Sequence, residues 1–439
     1  MVKTFKNLAK SYLNYIKFAA LKIIERNGYV LLLKNHYSEL CSKLYLYEDE
    51  TVYLKNYLNS AVKIIDLNCN RYGATENNFE IFDEAKQWKS FGIEPPNRSE
   101  EYPSCRWIEG GLSFVPDKLR VCPNCVEGGG TPGLTKFSGG HFSIREVLTI
   151  RKLIITANQN GGFNGCKKCP LLLKKMWAPK KFLFDTICLA HYTVCNLACE
   201  YCYAIPEGKQ KLPLSSIISL KPTFEWLVEE KYLSTESVIL WGGGEPIINK
   251  EFESLFIFLT RYGATSEVYT NGTILSKTLL EAMINNKASV MISIDAGTKE
   301  SFNIIKGKNL FEKVVKNIDK YAKANKYKII LKMIICDKNK HEVIPFLNIA
   351  EKNDIRIVAY DVLTYNNHVS QEIIDCAAIL KYEGIKRGID VRVGEVGTIY
   401  NPNDNIRQRV EQSFNLLSGR NRLESNPNIQ STDLTEART

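Results

Sequence analysis

"LFDTICLAHYTVCNLACEYCYA", residues 183–204, joins two kinds of sequence. Its first half is a short β-branched and apolar run of the kind that forms a strand. Its second half puts Cys195, Cys199 and Cys202 within eight positions, spaced C-x3-C-x2-C. Five similar runs follow: "SVILWGG", "SEVYTNG", "SVMISIDAG", "KIILKMIIC" and "IRIVAYDVL". Amphipathic segments such as "NKEFESLFIFLTRYG" and "LFEKVVKNIDKYAKAN" separate them. Six β-then-α units with right-handed crossovers predict an α/β fold, a partial (β/α)6 TIM-like barrel over residues 183–400. Sites in such barrels lie at the C-terminal ends of the strands, where the thiols fall.

Upstream of this barrel the character of the chain changes twice. Residues 1–98 carry apolar residues at three- and four-residue spacing in "KNLAKSYLNYIKFAALKII" and "TVYLKNYLNSAVKII", which predicts a helical N-terminal region that ends at Pro95 and Pro96. Residues 99–182 are rich in Gly, Cys and Pro, as in "EGGGTPG" and "NGGFNGCKKCP", with one helix expected in "SIREVLTIRKLIITA". Dense turns with weak periodicity are the signature of a small module whose core is supplemented by metal. Residues 401–439 are polar and predict a flexible tail.

Composition narrows the class. No run approaches the roughly 20 apolar residues of a membrane span, and the Lys-studded N-terminus lacks a signal-peptide core, so a cytoplasmic protein is expected. Of 13 cysteines, nine lie between 105 and 202, a clustering that points to metal ligation in a reducing compartment rather than to disulfides. The net charge of +10 is uneven: residues 101–187 hold 13 Lys and Arg against 6 Asp and Glu. That excess fits nucleic acid, an anionic substrate, an acidic electron donor or the negative charge of a thiolate cluster.

Three thiolates on a short loop can bind three irons of a [4Fe–4S] cube and leave the fourth open, whereas a zinc knuckle wants a fourth ligand at short spacing. His191 reads as a packed strand histidine, and Cys188, Cys41 and Cys69 as small buried hydrophobes. Upstream, "CPNC" and "CKKC" with Cys105 form a second group. Cys105, Cys122, Cys166 and Cys169 are its expected ligands, with Cys125 spare or replacing one of them. Iron-sulfur and zinc both remain open for that group.

The triplet, with Tyr201 before its third cysteine, resembles the radical S-adenosylmethionine (SAM) superfamily. "LWGGGEPII" resembles that family's GGEP motif, and "SIDAG" falls where a SAM-contacting strand end belongs. The resemblance spans about residues 184–365 and implies a SAM-binding [4Fe–4S] cluster on Cys195, Cys199 and Cys202. It further implies a methionine amino group received by Gly243, Gly244 and Glu245, and SAM contacts from Asn271, Ser293 and Asp295. Lys306 would stand where the family often pairs an arginine with the SAM carboxylate, and Lys332 is a second candidate cation. Glycines admit close backbone approach, and a carboxylate at a strand end complements an ammonium group.

The upstream cysteines then resemble an auxiliary iron-sulfur module of that superfamily, placed before the barrel instead of after it. The implied activity is reductive cleavage of SAM to a 5′-deoxyadenosyl radical that abstracts hydrogen from a substrate, fed by a flavodoxin- or ferredoxin-like donor. A sugar nucleotide or other anionic small molecule is the expected substrate class, with peptide modification as the alternative. A non-catalytic cluster sensor or scaffold, and a zinc-based nucleic-acid module, are readings from other classes.

Overall fold

The computed structural model describes residues 83–116, 118–123, 136–167, 169, 171–202, 218–363, 369–393 and 406–424, with side chains to 419 in the last segment. The expected N-terminal helices before 83, Cys41, Cys69, Cys125 and the tail beyond 424 lie outside the described residues. By its contacts the chain divides at 81/82, and the unit from Phe82 onward is the one described here.

It begins with helix α1 (Glu84–Ser90), strand β1 (Tyr102–Ser104), the single turn α2 (Arg106–Gly110), and strands β2 (Gly111–Val115) and β3 (Lys118–Arg120). Helix α3 (Ile144–Gln159) and strand β4 (Leu173–Lys175) follow. Ser143 caps α3 through the amide of Glu146 at 3.2 Å, a capping-box spacing. The β/α series then runs β5 (Phe184–Leu189), α4 (Lys221–Glu229), β6 (Leu233–Trp241), α5 (Phe252–Tyr262), β7 (Thr265–Thr270), α6 (Lys277–Ile284) and β8 (Ala288–Ser293). It continues through α7 (Lys299–Lys306), α8 (Phe311–Asn325), β9 (Ile329–Ile335), α9 (Val343–Lys352), β10 (Ile357–Val362), α10 (Gln371–Lys386), β11 (Asp390–Val393) and α11 (Ile406–Glu424).

Nine strands form one sheet in the order β11, β10, β9, β8, β7, β6, β5, β2, β3. All neighbours are parallel except β2 and β3. The expected six strands are β5 to β10, in sequence order, as right-handed crossovers require. Among the described residues no pairing joins β11 to β3, so the barrel is open.

Four elements differ from expectation. Strands β2 and β3, inside the Cys-rich segment, extend the main sheet because Leu112 and Phe114 are fully buried in its core. Phe114 meets Phe137 edge-on at 5.4 Å and tilts against Phe224 at 5.7 Å. Strand β11 adds a seventh parallel unit beside β10. Part of the expected flexible tail is the helix α11, whose Val410, Phe414 and Leu417 recur at helical spacing and pack into the core.

Alternation decides what faces the helices. On β9, Ile329, Leu331, Met333 and Ile335 are fully buried, which leaves Ile330, Lys332 and Ile334 on the other face of the sheet. On β8, Val290 and Ile292 are buried, leaving Ser289, Met291 and Ser293 on that same open face.

Candidate active site

The cysteine loop, residues 190–202, crosses the C-terminal ends of four strands and is tied to each. Next to β6, Gly244 N donates to Tyr192 O at 2.6 Å and Glu245 N to Val194 O at 2.9 Å. After β7, Asn271 Nδ2 donates to Asn196 Oδ1 at 2.8 Å, and Asn196 Nδ2 to Thr273 Oγ1 at 2.8 Å. After β8, the Tyr201 hydroxyl donates to Asp295, and after β9 Lys338 pairs with Glu200 at 2.7 Å. The three thiols therefore sit on one loop held above the sheet edge. Cys195 and Cys202 each add to the upward push of burial on the Cys199 thiol.

Burial pushes the Cys199 thiol up to about 11, against the opposing pull of the Lys306 ammonium. Cys195 is also raised by burial, while Leu197 N at 3.5 Å and Asn271 Nδ2 at 3.6 Å donate to its sulfur. Amide donors to sulfur stabilise a thiolate, so the loop is prepared for a ligand that takes the proton's place. Among the described residues no three Cys, His, Asp or Glu side chains converge as ligands of a single ion do. A cluster instead binds each thiolate at a separate iron, and the donor chemistry of this loop fits that arrangement.

The GGEP turn packs closely against the cysteine loop. Gly243 has φ +90°, and a Cβ there would stand 2.5 Å from Tyr192 O. A Cβ on Gly244 would stand 2.2 Å from Val194 O. These glycines admit the cysteine loop itself. The Glu245 carboxylate, 1% exposed, accepts from Ile247 N at 3.2 Å, Thr270 Oγ1 at 2.8 Å and Asn271 N at 2.8 Å. Burial raises its pKa, partly offset by these donors, and the group bolts the β6 turn to the end of β7.

Asp295 and Lys306 pair with each other beneath the loop. Asp295 is fully buried, holds the left-handed φ of +56°, and accepts from Tyr201, from Lys306 and from Ile334 N at 2.6 Å. Lys306 is 2% exposed and its cation pairs with Asp295. Ser293 faces the open side of the sheet with Lys332 as its register partner on β9. Lys332 in turn pairs with Asp361 of β10 at 2.5 Å. Sequence reasoning missed Asp361 and the Asn196–Thr273 link, since an isolated Asp or Asn carries no local signal.

Among the described residues of the upstream group, Cys105, Cys166 and Cys169 fall on neighbouring segments without converging as ligands of a single ion. Strands β1 and β4 pair antiparallel, with Ser104 opposite Leu173, which sets Cys105 beside the turn that carries Cys166 and Cys169. Burial raises the Cys105 thiol to about 11, the Trp107 and Ile108 amides oppose that, and Cys169 and Cys166 add to it. Cys122, past the end of β3, is buried too.

An open α/β barrel with a thiol-bearing loop at its C-terminal edge defines the class. Residues 189–350 match the family model described as the Radical SAM superfamily, so this segment is similar to the radical SAM class of enzymes. A GTP 3′,8-cyclase of Psychromonas ingrahamii is 30% identical over 149 residues, covering 32% of this chain and 41% of that one. A GTP 3′,8-cyclase of Clostridium perfringens is 27% identical over 163 residues, covering 37% and 50%. The matches thus span half or less of these relatives. Among solved structures, anSMEcpe with bound AdoMet aligns with TM-score 0.39 at 18% identity over 47% of this chain and 63% of that one. Streptococcus suis SuiB bound to precursor peptide SuiA aligns with TM-score 0.39 at 12% identity, over 60% and 57%. The class implies SAM and a [4Fe–4S] cluster. No described helix is long and apolar enough to cross a membrane.

Proposed function

We propose that the chain binds a [4Fe–4S] cluster through Cys195, Cys199 and Cys202 and cleaves SAM reductively there. The observation that carries this is the placement of all three thiols on one loop tied across the strand ends of the segment that matches the superfamily. When bound, cluster and SAM together supply one-electron cleavage of a sulfonium, the source of a hydrogen-abstracting radical.

The chain's own residues do the positioning. Asn271 donates to the Cys195 sulfur and to Asn196, so one side chain sets both a ligand and its loop. Donors to sulfur move a cluster's potential, and this role needs the low end of the range of roughly −700 to +450 mV. A low-potential flavodoxin- or ferredoxin-like protein is the electron source that fits. The open face of the sheet, with Ser293, is the surface offered to SAM and substrate, and the buried Lys332–Asp361 pair lies on it.

Cys105, Cys166 and Cys169, with Cys122, are proposed to hold an auxiliary iron-sulfur cluster, supported by the β1–β4 pairing that sets Cys105 beside the turn of Cys166 and Cys169. The substrate is proposed to be an anionic small molecule of the nucleotide type. The basic segment 101–187 and the name of the GTP 3′,8-cyclase relatives support that class.

Anaerobic loading with iron and sulfide, followed by SAM and a strong reductant, tests the reading. About eight irons per chain are expected if both sites fill and about four if the triplet alone does. Methionine and 5′-deoxyadenosine must appear, and Cys199→Ala must abolish both. Iron-loaded protein that leaves SAM intact overturns the proposal.

A further inference from the structure

Helix α7 is fixed at both ends. At its start Thr298 caps Ser301 N, and Glu342, 2% exposed, accepts from Gly297 N at 2.7 Å, Thr298 Oγ1 at 2.9 Å and Ser301 Oγ at 2.8 Å. At its end Gly307 takes the left-handed φ of +67°. The terminal carbonyls of a helix lack intrahelical partners. Here the cysteine loop supplies them: Ala198 N donates to Lys306 O at 3.1 Å and Glu200 N to Ile305 O at 3.2 Å. A Cβ on Gly307 would stand 2.9 Å from Ala198 O, so the glycine is also what lets the loop sit that close.

Side chains repeat the same attachment. Tyr201, between Cys199 and Cys202, donates its hydroxyl to Asp295 and accepts from Lys306 Nζ at 3.3 Å. The Lys306 cation lies 5.8 Å from the centre of the Tyr201 ring and pairs with Asp295. Asp295 is itself anchored: Ile334 N donates to its side chain at 2.6 Å, and Asn339 Nδ2 donates to its carbonyl at 2.8 Å. A left-handed conformation at a non-glycine residue costs free energy and persists only where its surroundings over-determine it. The three groups occupy fixed places on three elements, and each has its polar atoms turned towards the other two.

We propose that Tyr201, Asp295 and Lys306 are positioning residues, a buried clamp that fixes the Cys199–Cys202 segment on the end of α7 before any cluster binds. Lys306 then holds the loop and does not grip the carboxylate of SAM. The inference deepens the proposed cluster site and rests on it for its role, yet the clamp itself exists in metal-free protein. Preorganised ligands lower the cost of closing a site around a bound group. The α7 C-terminus also presents partial negative charge toward the loop, and the Lys306 ammonium offsets it beside Cys199.

The test uses the full chain in two states. Without metal, hydrogen exchange at the Ala198 and Glu200 amides is expected to be slow in the wild type. It should be at least about tenfold faster in Tyr201→Phe and in the double variant Asp295→Asn/Lys306→Met, since each loses charge-assisted bonds that hold the loop. Amides of β6 to β9 must keep their protection, which separates loosening of the loop from unfolding. Unchanged loop exchange in a folded variant overturns the clamp. If the double variant does not fold, Tyr201→Phe decides alone.

After anaerobic loading, Tyr201→Phe and the double variant should hold less cluster than wild type. SAM affinity per loaded cluster in the double variant should stay within about twofold of wild type. Normal loading with SAM affinity lowered tenfold or more would assign Lys306 to the ligand instead. Should wild-type protein bind no cluster, the function proposal falls while the exchange measurement still decides the clamp.

Discussion

The carbonyl oxygen of Val194 occupies the place of a side chain on Gly244, 2.2 Å from where a Cβ would stand. Gly242, two residues earlier in the same turn, has open space at the equivalent point. Gly244→Ala is therefore expected to push the cysteine loop off the turn and cost about 1–3 kcal/mol, as overpacking does. Gly242→Ala should stay within about 0.5 kcal/mol of wild type. Urea titrations of both variants check the contrast, and equal midpoints would show that the turn yields.

Lys332 and Asp361 share a second close relationship, an ion pair at 2.5 Å with side chains 13% and 5% exposed. Asp361 Oδ2 is in ionic contact but lacks hydrogen-bond alignment. Removing one partner of a buried pair leaves an uncompensated charge, so Lys332→Met and Asp361→Asn should each destabilise by about 3–5 kcal/mol. The double variant should lose clearly less than the two losses added together. A double-mutant cycle in urea measures this, and a coupling near zero refutes it.

His191 gives the expected pH dependence. Both ring nitrogens are buried without a hydrogen-bond partner, and burial pushes its pKa down to about 4, against a weaker opposing pull from Glu251. The folded value lies below the ordinary 6.5, so the unfolded chain binds the proton first as pH falls. Stability from this group is complete above about 6.5 and is lost towards 4, by about 2 kcal/mol between pH 7 and pH 5. In His191→Phe that loss should vanish. Urea midpoints at the two pH values, in both proteins, decide it.

Arg151 holds the added strand β2 in place. It is 1% exposed, donates to Gly111 O and Leu183 O at 2.7 Å each, and lies 5.0 Å from the Phe184 ring centre. Arg151→Met would leave two buried carbonyls unpaired, at about 1–3 kcal/mol each. Lysine cannot span both acceptors, so Arg151→Lys should recover only part of the loss. Hydrogen exchange on β2 should quicken in both variants, more than on β8.

The strands β5 to β10 were legible because each is a β-branched run bounded by a turn signal and followed by a helical period. Strand β2 was not, since "GLSFV" lies in a segment whose glycines and cysteines read as turns, and only the aromatic packing around Phe114 makes it a sheet strand. Strand β11 has four residues, too few to show alternation against background. Helix α11 carried its signal in Val410, Phe414 and Leu417, but polar neighbours outweighed them in a compositional reading.

What the amino-acid order determined by itself was periodic or local: the alternation that makes a parallel α/β sheet, the thiol spacing on one loop, and the glycines at the turn after β6. Folding alone decided the partners of the buried charges. Lys306 and Asp295 stand 11 residues apart, Tyr201 and Asp295 94 apart, and Lys332 and Asp361 on different strands. A charge in the sequence looks equally available to a ligand or to another side chain. Only the packed chain, by withdrawing it from water beside an opposite charge, settles which one it meets.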